Sequence, residues 1–159
     1  MSGSWARAIF ARARCNREIL LNNADFARFD LHHIGIVVAD LDDAVQRYED
    51  LGFPPGERME MPDQGVILVT FMAGPGVVEI ISPTDPEGAI ARFLNKRGDG
   101  MHHVAYRVAD IQAELDRLAA AGLRLIDSNP RIGAHGWRVA FVHPESCCGV
   151  LTELVQVDC

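Results

Sequence analysis

The sequence predicts an α+β protein in which two tandem βαβββ modules form a curled, mixed β-sheet cup. The first observation is an internal repeat, because residues 31–53 and 101–123 align without a gap at an offset of 70. The second is that an amphipathic helical pattern follows the first strand of each copy. The third is that three β-like stretches follow each of these helices. A duplicated unit of this kind buries its apolar faces only when the copies pack together.

The repeat also sets the domain boundaries. We expect a single domain over residues 31–159, with module 1 at about 31–84, a connecting helix at about 86–97 and module 2 at about 101–157. Residues 1–30 lie outside the repeat and form an N-terminal arm. The arm has several arginines before its first acidic residue, a composition that organelle-targeting peptides share. We favour a structural arm that packs on the domain or on a partner subunit, because targeting rests on composition alone.

The element boundaries in the two modules are marked by the same residue types. Asp40 and Asp110 follow the strands expected at 31–38 and 101–108, and aspartate is a good N-cap residue. Gly52 and Gly122 stand where a C′ glycine ends a helix. The remaining strands are expected at 56–60, 66–72 and 76–81 in module 1 and at 123–127, 136–142 and 149–155 in module 2.

Charge and hydropathy argue against two classes of partner. The net charge is −7, whereas a surface that binds nucleic acid needs an excess of Lys and Arg to neutralise phosphates. No apolar run approaches the roughly 20 residues that span a bilayer. We therefore expect neither a nucleic-acid partner nor a membrane span.

The four cysteines lack C-x-x-C spacing, and we interpret them as free thiols of a reducing compartment.

The period-two alternation of a strand separates the two histidines of each His-His pair. His32 shares a face with Ile34, Ile36 and Val38, which suits the face under the helix, so His33 points into the cup. The same alternation in the second copy makes His103 its inward histidine and assigns His102 to the helix side. We expect the outward pair, His32 and His102, to have a structural or supporting role.

Two glutamates occupy matching places on the last strand of each module. Glu79 and Glu153 are each the one carboxylate of an apolar stretch, at 46 and 50 residues after His33 and His103. A buried carboxylate is costly unless it is paired or bound to a metal. Two histidines and two carboxylates suit Co²⁺, Zn²⁺, Ni²⁺, Mn²⁺ or Fe²⁺. The sequence therefore predicts a metal site of His33, Glu79, His103 and Glu153, with His135 of the Gly-rich IGAHG loop as a candidate substrate contact.

One histidine and one glutamate per copy of a duplicated βαβββ unit resemble the vicinal oxygen chelate (glyoxalase/bleomycin resistance/dioxygenase) superfamily. The match is closest to its methylmalonyl-CoA epimerase family, through HHIGIVVADLDDAVQRYEDLGF, DQGV, GDGMHHVAYRVADI and RIGAHGWRVAFVHPESCCGVLTEL. The resemblance covers residues 31–155 and leaves the arm outside. It implies an isomerase that interconverts (R)- and (S)-methylmalonyl-CoA by proton transfer at C2 through a metal-stabilised enolate.

The same resemblance implies the cofactor, the partners and one catalytic role. It implies one divalent ion, Co²⁺ before Zn²⁺, Ni²⁺ or Mn²⁺, an acyl-CoA substrate and a homodimer. Glu153 is expected to be a catalytic base as well as a metal ligand. The expected location is the cytoplasm, or the mitochondrial matrix if the arm is a transit peptide. Two alternatives share the scaffold, namely a glyoxalase I-like lactoylglutathione lyase and a non-catalytic ligand-binding member.

The sequence departs from the epimerase pattern at one position. Several members of that family carry a second glutamate four residues after the Gln of the QGV motif, and counting from Gln64 this position is Leu68. A leucine side chain has no proton to exchange. The second proton-transfer group is therefore left open among Glu60, Asp63, His135 and a metal-bound water.

Overall fold

The structure is a computed structural model that describes residues 29–157, so the predicted arm at 1–30 lies almost entirely outside the described residues. Its helices and strands follow the predicted order in both modules. Module 1 contains β1 (Asp30–Val37), α1 (Leu41–Asp50), β2 (Glu57–Met61), β3 (Val66–Ala73) and β4 (Gly76–Pro83). The connecting helix is α2 (Ala89–Arg97). Module 2 contains β5 (Gly100–Arg107), α3 (Ile111–Ala120), β6 (Arg131–Ile132), β7 (Arg138–Val142) and β8 (Leu151–Gln156).

All eight of these strands form one mixed sheet in the order β2-β3-β4-β1-β5-β8-β7-β6. The first strand of each module pairs in parallel with the last strand of the same module, β1 with β4 and β5 with β8. The two modules join through the antiparallel pair β1–β5 at the centre. The predicted α+β architecture of two βαβββ modules in one curled mixed sheet is therefore confirmed, and the modules are related by a local two-fold axis between β1 and β5.

The helices α1 and α3 cover one face of the sheet, each over its own module. Both begin as predicted, because the carboxylates of Asp40 and Asp110 accept hydrogen bonds from the backbone N–H groups of Asp43 and Ala113. Under α1 lies a cluster that includes Leu41, Phe71 and Ile80; its counterpart under α3 includes Ile111, Leu115 and Leu154. The opposite face, with α2 at its rim, is left to form the cup. None of the helices within residues 29–157 is long and apolar enough to cross a membrane.

The strand predicted at 123–127 is wrong. Only Leu125 makes a β-bridge, to Val142, although Leu123 and Leu125 pack into the cluster under α3 as their alternation implies. The ladder stops because the carboxylate of Asp127 accepts the backbone N–H of Phe141 at 2.9 Å, in the place of a strand carbonyl. The outer strand of module 2 is instead the two-residue β6, which pairs with β7.

The predicted position of His32 and His102 under the helices is also wrong, because each lies at a β-bulge of the β1–β5 pair. Leu31 and His33 stand opposite consecutive residues of β5, which leaves His32 as an extra residue on β1. In the same way, Gly35 and Ile36 stand opposite His103 and Met101, so that His102 is the extra residue on β5. A bulge interrupts the strict alternation of side chains. Both rings therefore lie beside the next histidine along the chain, on the cup side.

Candidate metal centre

Four acid and imidazole side chains converge on the cup face of the four central strands. They are His33 on β1, Glu79 on β4, His103 on β5 and Glu153 on β8, one pair from each module. The strand register explains the convergence, because Gly35 stands opposite both His103 and Glu79. These are the four residues that the sequence predicts as metal ligands, and the fold brings all four together.

The donor atoms of these side chains lie within a few ångströms of one another. The Nε2 atoms of His33 and His103 are 2.9 Å apart. Oε2 of Glu153 is 2.9 Å from Nε2 of His33 and 3.2 Å from Nε2 of His103. Oε2 of Glu79 is 3.5 Å from Nε2 of His33, and donor atoms of His33, Glu79 and His103 all lie within 4.8 Å of one another.

This spacing fits a single divalent ion. Bonds of about 2.1 Å to one ion hold neighbouring donors about 3.0–3.4 Å apart when the bond angles are roughly 90–109°. The measured separations of 2.9–3.5 Å are close to that range. In addition, Oε1 of Glu79 is buried without a hydrogen-bond partner among the described residues, an arrangement that a bound cation would stabilise. The donor set therefore fits the ion that the sequence predicts.

Burial and mutual hydrogen bonds set the charges of the cluster in the absence of an ion. Each of the four side chains is 2–6% exposed. Burial alone would raise the pKa of Glu153, but the hydrogen bonds of His103 and His33 outweigh it and lower the pKa to about 2. Burial would likewise lower the pKa of His33, but the hydrogen bond to Glu153 and the charge of Glu79 raise it above 6.5. Protons on histidine and a metal ion are thus alternative ways to compensate the two buried carboxylates.

Gly35 makes room for one of the four converging side chains. A Cβ atom at this position would lie 2.1 Å from Cε1 and 2.5 Å from Nδ1 of His103, far inside van der Waals contact. The ring of His103 therefore lies directly over the backbone of β1. Strand alternation puts Gly35 on the same face as His33, but the close approach to His103 arises only when β5 pairs beside β1.

A second layer of side chains surrounds the imidazole rings. Nδ1 of His32 is 2.8 Å from Nδ1 of His33, and Nδ1 of His102 is 2.9 Å from Nδ1 of His103. Burial and the neighbouring positive charge of His33 lower the pKa of His32 to about 3. Burial and the neighbouring charge of His103 lower the pKa of His102 to about 4. Both second-layer histidines are therefore neutral near pH 7.

The ligand cluster forms the floor of a cavity of about 360 Å³. Its walls are largely apolar and include Leu68, which is 3% exposed and stands where the epimerase pattern has its second glutamate. Polar groups at the cavity are few, among them Asp63, Gln64 and Arg131. The amide of Gln64 donates a hydrogen bond of 3.1 Å to the backbone oxygen of Ile132, which connects module 1 to module 2 across the cavity.

His135, the candidate substrate contact, lies behind the cavity wall. It has a left-handed backbone conformation, with φ of 56°, inside the short turn Ala134–Gly136. Its ring tilts against Trp137 with centroids 4.7 Å apart, and burial lowers its pKa. The cavity wall is formed by Gly133, Ala134 and Trp137 of this loop and does not include His135. The loop as a whole reaches the site, but Trp137 rather than His135 presents its ring there.

Comparison with known proteins gives matches over most of the chain. The model of the Glyoxalase/Bleomycin resistance protein/Dioxygenase superfamily matches residues 32–141. The chain is 41% identical over 130 residues to the ethylmalonyl-CoA/methylmalonyl-CoA epimerase of Cereibacter sphaeroides, which is 80% of this chain and 97% of that protein. It is 38% identical over 128 residues to the mitochondrial methylmalonyl-CoA epimerase of Homo sapiens, or 79% of this chain and 73% of that protein.

Solved structures of similar proteins have the same fold. The methylmalonyl-CoA epimerase of Mycobacterium tuberculosis superposes with a TM-score of 0.79 at 35% identity, covering 90% of this chain and 95% of that chain. A methylmalonyl-CoA epimerase in complex with methylmalonyl-CoA and NH4+ superposes with a TM-score of 0.77 at 34% identity, covering 82% of this chain and 95% of that chain.

Proposed function

The chain belongs to the glyoxalase/bleomycin resistance protein/dioxygenase superfamily, and on this premise we propose that it is a metal-dependent epimerase of (R)- and (S)-methylmalonyl-CoA. The observation that carries the proposal is the convergence of two histidines and two glutamates in one cavity, in a chain that matches 97% and 95% of the lengths of two named epimerases. The reaction exchanges the hydrogen at C2, which lies between a thioester and a carboxylate, and removing that proton leaves an enolate.

His33, Glu79, His103 and Glu153 are the residues that would hold the ion. A divalent ion at this place, with Co²⁺ before Zn²⁺, Ni²⁺ or Mn²⁺ in our proposal, would supply positive charge next to the oxygens on which the negative charge develops. The four side chains would hold the ion in a fixed position, because they come from four hydrogen-bonded strands of one sheet. Such a rigid frame supports the precise placement that catalysis requires.

The walls of the cavity suit the acyl part of the substrate. Leu68, Ile81 and Val66 pack together on the module 1 side and exclude water from the C2 carbon. Low water content strengthens the electrostatic interactions of the enolate with the charged floor. The guanidinium of Arg131 is close to the cavity and about half exposed, which supports an anionic substrate such as an acyl-CoA that carries a carboxylate and phosphates.

Glu153 is our proposed base on one face of C2. The hydrogen bonds of His103 and His33 lower its pKa and keep the carboxylate ionised at neutral pH, which is the protonation state that a base requires. For the other face, Asp63 is the best placed of the side chains left open by the sequence. Asp63 lines the cavity, whereas Glu60 and His135 are not part of its wall. We therefore propose Asp63 as the second proton-transfer group, in place of the glutamate that Leu68 replaces.

The named relative from Cereibacter sphaeroides favours a second substrate, ethylmalonyl-CoA. One further methylene on C2 needs only additional apolar contact, which the leucine, isoleucine and valine side chains of the wall supply.

A homodimer remains our expectation for the assembly, to be measured by light scattering. For the location, we keep the cytoplasm, or the mitochondrial matrix if the Arg-rich first residues are a targeting segment.

The test is hydrogen exchange with stereochemical analysis. Metal-loaded protein is incubated with (S)-methylmalonyl-CoA in D₂O, and deuterium at C2 is followed together with the appearance of the (R) form. We expect both in the wild type and neither in Glu153→Gln. Glu145→Gln is a matched control, because Glu145 is exposed on module 2 and pairs with Arg124. Absence of exchange and inversion in the wild type, with turnover of a glutathione hemithioacetal, would establish the lyase alternative instead.

A further inference from the structure

Each proposed ligand histidine is in contact with the histidine that precedes it in the chain. In module 1, Nδ1 of His32 and Nδ1 of His33 are 2.8 Å apart. In module 2, the same atoms of His102 and His103 are 2.9 Å apart. Both distances are those of a hydrogen bond. The contact is duplicated along with the ligands, although it depends on two separate bulges, one on each strand of the β1–β5 pair.

The chemistry of imidazole determines the direction of these hydrogen bonds. A neutral imidazole has one proton, on either Nδ1 or Nε2. Nε2 of His33 and Nε2 of His103 point at each other and at Glu153, so these are the atoms with a lone pair for a metal ion. The proton of each ligand histidine must then be on Nδ1, from which it is donated. It follows that Nδ1 of the preceding histidine accepts, and that the proton of that residue is on Nε2.

The accepting rings are themselves held in place by aromatic neighbours. The ring of His32 meets Trp137 edge to face, with centroids 4.5 Å apart and an angle of 88°. The ring of His102 meets Phe93 of α2 in the same way, at 4.8 Å and 85°. The two aromatic residues come from different parts of the fold, so neither contact is a by-product of strand pairing. Each ligand is thus supported by a fixed histidine, and each such histidine by a fixed aromatic ring.

We propose that His32 and His102 are positioning residues of the metal site, which hold His33 and His103 in the orientation and tautomer that direct Nε2 at the ion. This inference rests on the metal site of the proposed function. In many metalloproteins a carboxylate or a backbone carbonyl accepts the second N–H of a ligand histidine. Here a neutral imidazole would do so in both modules. The adjacent residue can serve as the acceptor because each bulge moves its ring to the cup face.

A purely structural role for these rings makes a different prediction. If His32 only filled space beside Trp137, phenylalanine would replace it without loss of metal affinity. If it accepts a hydrogen bond, asparagine is the better substitute, because Oδ1 of asparagine occupies nearly the place of Nδ1 and is also an acceptor. The pair His32→Phe and His32→Asn therefore separates packing from hydrogen bonding at one position, and the corresponding variants of His102 repeat the comparison independently.

The experiment measures Co²⁺ affinity by competition with a chelator, together with the visible spectrum of bound Co²⁺ and the thermal stability of the metal-free protein. We expect His32→Phe and His102→Phe to lower the affinity about 10- to 100-fold and to shift the Co²⁺ spectrum. His32→Asn should stay within about 3-fold of the wild type, since it keeps the acceptor. The control is His143→Phe, because His143 caps a surface turn through the N–H of Glu145 and is not part of the cavity wall.

A measurement on the unmodified protein decides the question even if a variant does not fold. Side-chain ¹⁵N NMR of the Zn²⁺-loaded protein should find His33 and His103 protonated on Nδ1, and His32 and His102 protonated on Nε2. Unchanged Co²⁺ affinity in both phenylalanine variants, or ligation of His33 through Nδ1, would overturn the positioning role and leave the metal site intact. Failure of the wild type to bind Co²⁺ or Zn²⁺ would overturn the proposed metal site and this inference with it.

Discussion

Substitution of Gly35 by alanine tests the geometry of the metal centre most directly. The new Cβ would lie 2.1 Å from Cε1 of His103, whereas ordinary van der Waals contact begins near 3.4 Å. The ring must therefore withdraw by about 1.3 Å, several times the tolerance of about 0.2 Å that a metal–ligand bond has. His103 cannot retreat freely, because Phe141 packs against its ring and His102 contacts its Nδ1. We expect Gly35→Ala to lose His103 as a ligand.

The expected magnitudes follow from that displacement. Disturbing only the supporting contacts of a ligand lowers metal affinity about 10- to 100-fold, so losing the ligand itself should lower Co²⁺ affinity by at least about 100-fold. Overpacking at the site should also reduce the free energy of unfolding of the metal-free protein by about 1–3 kcal/mol. The two quantities are measured by chelator competition and by urea denaturation, respectively.

Gly76→Ala is the matched control for this substitution. Gly76 is also in a strand next to β1, but a Cβ there would meet only the backbone oxygens of His32 and Ala73, at 3.6 and 3.8 Å. This variant should bind Co²⁺ as the wild type does. If Gly35→Ala bound Co²⁺ as tightly as Gly76→Ala, the ring of His103 would not lie over β1, and the site described above would be refuted.

Four further predictions follow from the same structure. Leu68→Glu should retain epimerisation, because the pattern that the epimerase family shows has a glutamate at this position. The buried carboxylate should lower the free energy of unfolding of the metal-free protein by about 1–3 kcal/mol in urea; loss of turnover with metal still bound would contradict this. Asp63→Asn should keep deuterium exchange in one enantiomer and lose inversion, and full inversion would exclude the role of Asp63. Co²⁺ at about 100 times Kd should raise the free energy of unfolding by about 2.7 kcal/mol, and a thermal melt of His33→Ala should lack this gain if His33 is a ligand. Since the pKa of His32 falls from 6.5 to about 3 on folding, only the unfolded chain takes up this proton between pH 6.5 and about 3. Metal-free protein should thus lose up to about 1.4 kcal/mol per pH unit on acidification from 6.5 toward 3, and an equal loss in His32→Phe would contradict that assignment.

The duplicated pattern made most of the fold predictable, together with the meeting of the four side chains that we propose as ligands. Period-two alternation singled out His33 and His103 because bulky apolar residues share the opposite face of each strand, and the matched offsets singled out Glu79 and Glu153. The structure brings these four side chains together. The failures have local causes. The segment at 123–127 has the alternation of a strand, but the carboxylate of Asp127 takes the place of a backbone acceptor and ends the ladder. A single sequence contains little that distinguishes such an edge segment from a strand.

The features that escaped prediction depend on contacts between the modules. The bulges at His32 and His102 exist only in the pairing of β1 with β5, so strict alternation assigned both rings to the wrong face. Trp137 follows the IGAHG loop in the sequence, and nothing there reveals that its ring reaches His32 and His33 of the other module. A Gly on an inward strand position facing a partner strand with His is the signal that could have pointed to the close approach at Gly35.

The central pair β1–β5 also says something about the origin of the site. Each module contributes only one histidine and one glutamate to the cluster, and the local two-fold axis between the strands completes the set of four. A half-length ancestor with this βαβββ unit would have built the same centre as a symmetric homodimer, with an isologous interface along its first strand. In that dimer, both sides of the site were bound to be identical. Joining two such units in one chain removes the constraint, and this chain combines four symmetrically placed side chains with differences between its halves, Leu68 in one module and Trp137 in the other.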